Sequence, residues 1–128
     1  MKFFKLFTPF KINNMTISNR IVMPAINLNL ANNGFITKKL IDFYVERAKG
    51  GAGMLIVGGC YVDVYGKGLP QMISVESDEF LPKLTKLAEA VHKARHDVKI
   101  CAQLYHGGAY AYPQIIGTTP IAPSAVYS

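Results

Sequence analysis

Three runs of apolar and β-branched residues stand out along the chain, at residues 20–26, 53–59 and 98–104. Each run is nearly continuous, whereas a strand with one solvent-facing side alternates apolar and polar residues. Continuous runs of this length are typical of strands in a parallel sheet that is covered on both faces. The hydrophobic pattern therefore predicts three buried parallel strands.

Two segments with helical periodicity, residues 37–51 and 77–97, separate these strands. The first places its apolar side chains on one face and its charged side chains mostly on the other. Thr37 is the predicted N-cap of this helix, and Gly50–Gly51 are predicted to end it. The alternation of strands and helices predicts an α/β fold with right-handed crossovers.

The remaining signals concern element boundaries and connections. Ser77 or Asp78 is expected to cap the second helix, and Pro82 fits its first turn, where no N–H partner is needed. A hairpin turning at Asn13–Asn14 is predicted before the first strand, and the Pro-containing tail at 112–128 is predicted to be a loop. Three strands and two helices leave sheet edges open, so the segment is either a minimal doubly wound sheet or the opening of a larger fold.

Composition narrows the class of protein. The chain has 128 residues, of which 50% are hydrophobic and 17% are charged, as in a globular domain. The net charge of +6 is spread along the chain with no run longer than Lys38–Lys39, so we expect no nucleic-acid partner. No stretch approaches the ~18 apolar residues of a membrane span, and the first residues lack the features of a signal peptide. We therefore expect a cytoplasmic protein without a membrane partner; a basic domain that binds anionic ligands, testable by retention on heparin, is a rival interpretation.

The two cysteines, Cys60 and Cys101, each lie in or beside an apolar run. Because there is no CxxC spacing or paired histidine, we interpret them as small buried thiols in a reducing compartment. The sequence accordingly predicts no metal site.

The candidate ligand-binding residues lie at the carboxyl ends of the predicted strands, where parallel α/β folds bind their ligands. The three ends carry residues 24–27, the pair Gly58–Gly59, and Gln103 followed by His106 and two glycines. Glycines admit a flat group close to the backbone, and an amide offers a donor and an acceptor to a ring edge. A buried amide without a partner costs about 1–3 kcal/mol, so Gln103 needs one.

Each of these features also has a purely structural interpretation. Gly58–Gly59 can form a turn, His106 can be a hydrogen-bonded structural residue, and Gln103 can tether a loop. No GxGxxG motif follows the first strand, which disfavours a self-contained dinucleotide-binding unit.

Several segments together resemble the old yellow enzyme family, the NADH:flavin oxidoreductases. They follow one another in the family's order along essentially the whole chain: LFTPFKINNMTISNRIVMPAINLNLANNGFIT, FYVERAKGGAGMLIV, SDEFLPKLTKLAEAVHKA, QLYHGG and PIAPSA. The segment NLNLANNGFIT is closer to the multidomain branch of that family than to its single-domain members. The resemblance implies a TIM (β/α)8 barrel with FMN at the carboxyl ends of its strands. Such barrels typically need about 250 residues. Residues 1–128 would therefore be an incomplete N-terminal segment of this domain, a hairpin plus about three βα units.

The same resemblance assigns six residues to FMN binding. They are Pro24, Ala25, Ile26, Asn27, Gly59 and Gln103. Asn27 falls where the family places a side chain that tunes the flavin potential, and Gly59 matches a small residue beside the ring. Gln103 matches the amide that pairs with the pyrimidine edge of the flavin.

The resemblance also implies what this segment lacks. Family members commonly have Arg where this chain has Ala109. The family's substrate-binding, proton-donating and phosphate-binding residues all lie beyond the third strand. We therefore assign no catalytic residue and expect the 128-residue chain alone to be inactive. The iron–sulfur cluster and FAD of the multidomain branch are expected only in a longer parent chain.

The resulting hypothesis is the N-terminal part of an FMN-dependent oxidoreductase of the ene-reductase type. Hydride from NADH or NADPH would pass through FMN to the C=C bond of a small unsaturated carbonyl or enoyl substrate. The alternative is a non-catalytic α/β module that completes a barrel by assembling with itself or with another chain through its open sheet edges.

Overall fold

A computed structural model describes residues 3–124, which form a small hairpin followed by a sheet with two helices packed on one face. The strands are β1 (Phe10–Ile12), β2 (Met15–Ile17), β3 (Val22–Ile26), β4 (Met54–Tyr61), β5 (Ile73–Ser74) and β6 (Lys99–Tyr105). The helices are α1 (Lys38–Lys49), α2 (Leu81–Ala94) and α3 (Pro113–Ile116). None of the helices within residues 3–124 has the length and apolar character needed to cross a membrane.

The main sheet is parallel, with β4 between β3 and β6, which confirms the predicted order of strands and helices. β1 and β2 pair antiparallel as a separate hairpin, whose turn has Asn13 at a φ of 52°, as predicted. β5 pairs with the last two residues of β4 and is not predicted by the hydrophobic pattern. Two residues are too few for a periodicity to register.

Helix α1 begins and ends where its local sequence predicts. The Leu40 N–H donates to Thr37 Oγ1 at 3.4 Å, which confirms the N-cap. At the other end, the Gly50 N–H donates to the carbonyl of Glu46, and Gly51 adopts a φ of 98°. The glycine pair therefore ends the helix, because its second member takes a left-handed conformation.

Helix α2 begins later than predicted. A 3-10 turn over Asp78–Phe80 precedes its first residue, Leu81, and no side chain caps either segment, so the predicted cap at Ser77 or Asp78 is wrong. The turn buries Phe80, whose ring centroid lies 4.6 Å from that of Phe35. A tertiary aromatic contact thus fixes the start of this helix in place of a local hydrogen bond.

The prediction of a loop over 112–128 is wrong in one part, because Pro113–Ile116 forms the helical turn α3. Gly117 ends this turn with a φ of 74°. α3 begins with a proline, and Pro82 likewise lies in the first turn of α2, where a missing N–H costs nothing. Residues 125–128 of the predicted loop lie outside the described residues.

The hydrophobic core lies between the sheet and the two long helices. Its most buried side chains include Leu40, Tyr44 and Ala48 of α1, Leu55 and Val57 of β4, and Leu87 and Val91 of α2. On the opposite face of β3, Val22 and Ile26 are 38% and 46% exposed. The expectation of strands covered on both faces is therefore wrong for β3 and β6, which have exposed residues because both long helices pack on one side of the sheet, whereas no residue of β4 is exposed.

The hairpin is fastened to the amino ends of the strands. The buried Asn19 side chain donates to the Gly51 carbonyl at 2.8 Å, and its Oδ1 accepts the N–H two residues further on. Arg95 pairs with Asp97 at 2.6 Å and donates to Ser18 Oγ at 3.2 Å. These polar contacts lock the end of the sheet opposite to the candidate site.

Candidate flavin site

The glycine pair Gly58–Gly59 lies inside β4, which continues two residues beyond it, so the strand does not end there as predicted. The register between β4 and β6 shifts between Val57 and Cys60, which is where the pair lies. A Cβ added at Gly58 would lie only 2.6 Å from the Ile26 backbone nitrogen. The glycine therefore allows the backbones of β3 and β4 to approach closely at an irregularity in the sheet.

A pocket of about 360 Å³ opens beside this irregularity, at the carboxyl ends of β3, β4 and β6. It is lined by Asn27, Gly59, Gly68, Leu69, Gln103, Tyr105, Tyr110 and Tyr112, none of which is charged. Three of the six predicted flavin contacts, Asn27, Gly59 and Gln103, therefore meet in one pocket, although the first follows β3 and the other two lie in β4 and β6.

The other three predicted contacts lie along β3 and do not line the pocket. Pro24 and Ile26 are exposed on the open face of the sheet. Ala25 is half-buried and packs against Gly58, where an added Cβ would be 2.5 Å from its own. A contact between these residues and a flavin stays a prediction.

Asn27 is oriented by the loop that follows β3. Its Oδ1 accepts the N–H of Asn29 at 3.2 Å, and Asn29, at a φ of 52°, accepts the N–H of Gln71 through its own Oδ1 at 2.7 Å. The Asn27 amide nitrogen then faces Gly59, since a Cβ added there would lie 3.6 Å from it. Asn27 consequently offers a hydrogen-bond donor to the pocket.

Gly59 and Gly68 leave the pocket walls without side chains at two points. A Cβ at Gly68 would lie 2.6 Å from the Tyr105 hydroxyl, and a Cβ at Gly59 would lie 3.0 Å from Met72 Cε. At these two points the wall is backbone, and three tyrosine rings line other parts of the pocket, which suits a flat ring system. Together with the amides of Asn27 and Gln103, these residues fit the isoalloxazine ring of FMN, whose edge carries both donors and acceptors.

Gln103 is exposed, and so is its neighbour Leu104. The amide is therefore not the buried group that the apolar pattern of β6 indicates. Within the described residues it lies at an open pocket edge, where a ligand can reach both its N–H and its C=O.

The cysteines differ in their surroundings. Cys60 is fully buried behind Gly59, and burial raises the pKa of its thiol to about 11, so it is neutral. Cys101 is only partly buried, which corrects the prediction of two buried thiols. Across residues 3–124, no three His, Cys, Asp or Glu side chains are grouped so that they can hold a metal ion.

His106 has a structural role in the loop that follows β6. Its Nδ1 accepts the N–H of Gly108 at 3.0 Å, and its ring packs against Gly66. The Gly107 N–H also donates to the Gly66 carbonyl at 2.7 Å. The loops that follow β4 and β6 are thereby joined beside the pocket.

Sequence reasoning missed five lining residues: Gly68, Leu69, Tyr105, Tyr110 and Tyr112. All of them follow β4 or β6 or, in the case of Tyr105, end the strand. Tyr110 and Tyr112 are 87% and 56% exposed, which is unusual for large aromatic side chains. Applying the carboxyl-end rule to the whole of each following loop would have included them.

Similarity to known proteins agrees with this geometry. The profile of the NADH:flavin oxidoreductase / NADH oxidase family matches residues 5–127. The metal reductase of Desulforamulus reducens is 42% identical over 123 residues, covering 96% of this chain and 18% of that protein. The NADH oxidase of Thermoanaerobacter brockii is 41% identical over 124 residues, covering 94% of this chain and 19% of that protein. The solved structure of the old yellow enzyme homologue from Zymomonas mobilis superposes with a TM-score of 0.87 at 30% identity, covering 95% of this chain and 34% of that one.

The chain thus spans less than a fifth of the length of these two relatives and about a third of the solved enzyme. Its hairpin and its parallel strands with helices on one face form part of an α/β barrel, as in that enzyme. The family match covers nearly the whole sequence. This chain belongs to the NADH:flavin oxidoreductase / NADH oxidase family, which confirms its resemblance to the old yellow enzymes.

Proposed function

We propose that this chain forms the N-terminal wall of the FMN site in an NAD(P)H-dependent oxidoreductase. The enzyme would reduce the activated C=C bond of a small unsaturated carbonyl or enoyl compound. One observation carries the proposal: Asn27, Gly59 and Gln103 line the same uncharged pocket at the carboxyl ends of the strands. Family membership supports the flavin, and the name of the NADH oxidase relative supports a nicotinamide donor.

FMN, when bound, supplies the hydride transfer between the nicotinamide and the substrate. In this proposal Gln103 uses its N–H and C=O to fix the edge of the ring, and Asn27 donates its amide N–H. Gly59 and Gly68 keep side chains away, so that the ring can lie against the backbone. Pro24, Ala25 and Ile26 extend this wall along β3, and Tyr110 and Tyr112 limit the access of water from the open side.

The proposed site is incomplete within residues 3–124. None of the pocket-lining residues is charged, so they offer no cationic partner for a phosphate. We place the phosphate contacts and the acid that completes the reduction in a longer parent chain. The 128-residue chain by itself would then bind the flavin ring without catalysing turnover.

Binding of lumiflavin, which has the ring but no phosphate, tests the wall directly. Titration followed by flavin fluorescence should show binding to the folded chain, and Gln103→Leu should weaken it about tenfold through the lost amide contacts. Gln114→Leu, an exposed residue outside the pocket, is the matched control and should bind as the wild type does. Equal losses in both variants, or no binding to the folded wild type, would overturn the proposal.

An assay of catalytic turnover tests the proposal that the site is incomplete in this chain. The chain mixed with FMN, NADH and an enone should not oxidise NADH above the rate of free FMN. Sustained enone reduction would contradict the placement of the missing groups outside this chain.

A second candidate function, a non-catalytic module that assembles to complete a barrel, is favoured by the sheet edges. Within the described residues β3 and β6 each pair only with β4, so each has an unpaired edge. Val22 and Ile26 add exposed apolar surface on the open face. Unpaired edges recruit further strands. Light scattering after size-exclusion chromatography should then show a defined oligomer, whereas a monomer at high concentration counts against this candidate.

A further inference from the structure

We infer that Met72 is a positioning residue for the candidate flavin pocket: its thioether sulfur holds the loop backbone at Gly68 and Leu69, which forms one wall of the pocket. The identity of the ligand in this inference rests on the proposed function. The attachment of the loop does not, and it can be tested alone.

The sulfur of Met72 accepts two backbone hydrogen bonds. The N–H groups of Gly68 and Leu69 each lie 3.2 Å from Sδ, and Met72 is only 1% exposed. These N–H groups belong to the irregular stretch between the 3-10 turn at Val64–Gly66 and β5. Backbone donors outside regular structure need another acceptor when they are buried, and here a thioether provides it.

Met72 also touches the opposite wall of the pocket. Its Cε would lie 3.0 Å from a Cβ placed at Gly59, and its own backbone is fixed because β5 begins at the next residue and pairs with β4. One buried side chain therefore joins the end of β4 to the loop. Met72 therefore contacts three residues that line the pocket: Gly59 through its terminal methyl group, and Gly68 and Leu69 through its sulfur.

The outer side of the same loop is fastened separately. The Gln71 N–H donates to Asn29 Oδ1 at 2.7 Å, and the Gln71 carbonyl accepts the N–H of Ala31 at 3.0 Å. Gly68 rests on the Tyr105 hydroxyl, since a Cβ there would lie 2.6 Å from it. Loss of the sulfur contacts should therefore loosen the wall at Gly68 and Leu69 without releasing the loop as a whole.

Met72→Leu removes the sulfur acceptor but keeps most of the packing of the side chain, because leucine has a similar volume but no acceptor atom. Met23→Leu is the matched control: Met23 is partly buried and packs against the same core from β3. In Met72→Leu the amide hydrogens of Gly68 and Leu69 should exchange about tenfold faster than in the wild type. In Met23→Leu they should exchange at the wild-type rate.

Selenomethionine labelling detects the hydrogen bonds themselves. In a chain labelled with ⁷⁷Se, the amide protons of Gly68 and Leu69 should each show a through-hydrogen-bond coupling to the selenium of Met72. The couplings should persist in Met23→Leu and disappear in Met72→Leu. Absence of these couplings, or equal exchange rates in both variants, would overturn the attachment.

The affinity for lumiflavin then measures the effect of Met72 on the pocket. The dissociation constant should rise about three- to tenfold in Met72→Leu and stay unchanged in Met23→Leu, with similar melting temperatures for the two variants. If the wild type and Met72→Leu bind equally well, the positioning role is overturned. If the couplings are present but the folded wild type binds no lumiflavin, the proposed function fails and the attachment of the loop by Met72 stands.

Discussion

Gly58 and Gly59 are neighbours in β4, yet alanine at the two positions should have opposite consequences. At Gly58 an added Cβ would lie 2.6 Å from the Ile26 nitrogen and 2.5 Å from the Ala25 Cβ. At Gly59 the nearest atom is Met72 Cε at 3.0 Å, a terminal methyl group that can shift without moving any backbone. Gly58→Ala therefore requires β3 and β4 to separate, whereas Gly59→Ala requires a shift of one methyl group.

The expected change in the free energy of unfolding depends on which atoms have to move in each variant. Overpacking a core by one methyl group costs about 1–3 kcal/mol when side chains adjust, and a backbone that must move puts Gly58→Ala at about 3 kcal/mol. Gly59→Ala restricts the unfolded chain, which stabilises by about 0.4–1 kcal/mol and offsets the contact with Met72. Its net effect on the free energy of unfolding should stay within about 1 kcal/mol. Because domains have only about 5–15 kcal/mol of stability, the two variants are easily distinguished.

Urea unfolding followed by circular dichroism measures the loss of stability expected for Gly58→Ala. Titration with lumiflavin measures the loss of ligand affinity expected for Gly59→Ala. Gly59→Ala should fold like the wild type but bind lumiflavin about tenfold more weakly, because its methyl group projects into the pocket wall. Gly58→Ala unfolding within about 1 kcal/mol of the wild type would refute the argument from close backbone approach. A Gly59→Ala variant that binds lumiflavin normally would refute the location of the ring.

Three further predictions concern the rest of the fold. Burial raises the pKa of Cys60 from 9.0 to about 11 and disfavours the thiolate in the folded state. Stability should therefore fall by up to about 3 kcal/mol as the pH rises from about 9 to 11, and urea unfolding of Cys60→Ala should lack that contribution. The pKa of Asp97 is lowered by its hydrogen bond to Arg95, so its stabilising effect is present above the ordinary carboxyl pKa of ~4 and is lost as the pH falls below it. Asp97→Asn should lower the urea midpoint at pH 7 and approach the wild type in acid; a difference independent of pH would contradict this. Asn19→Ala leaves the Gly51 carbonyl without its donor and should cost about 1–3 kcal/mol in urea unfolding.

The boundaries that the sequence predicts well are those set by local chemistry. Thr37 and Gly50–Gly51 bound α1 through hydrogen bonds and a backbone conformation that depend on nearby residues alone. The start of α2 depends on the contact between Phe80 and Phe35, which are distant in sequence and carry no periodic signal. β5 and α3 are not predicted for a different reason, since elements of two and four residues span about one period and are too short for a repeating pattern to be recognised.

The residues of the candidate site fall into the same two groups: those that local sequence predicts and those that depend on contacts between distant residues. The common location of Asn27, Gly59 and Gln103 could be predicted because the approximate strand ends are visible in the sequence, whereas their contacts with a flavin stay a prediction from the family resemblance. The positions of Gly68 and Leu69 depend on Met72, and the hydrogen bond between Asn29 and Gln71 fixes the same loop. No hydrophobic pattern encodes a sulfur acceptor or a contact between two loops, so this wall becomes apparent only in the structure.

Substitutions at the two ends of β4 should have independent effects on the free energy of unfolding. Asn19 fastens the hairpin at the amino end, next to Gly53, where an added Cβ would lie 2.6 Å from the Asn19 carbonyl oxygen. Gly59 lies six residues further along β4, about 20 Å away at about 3.3 Å per residue. Effects on unfolding at that separation add within about 0.5 kcal/mol. The double variant Asn19→Ala/Gly59→Ala should accordingly show the stability loss of Asn19→Ala alone and the weakened lumiflavin binding of Gly59→Ala alone. A coupling larger than about 1 kcal/mol between the two substitutions would show that the hairpin controls the pocket, and would contradict the separation of stability from ligand binding along this strand.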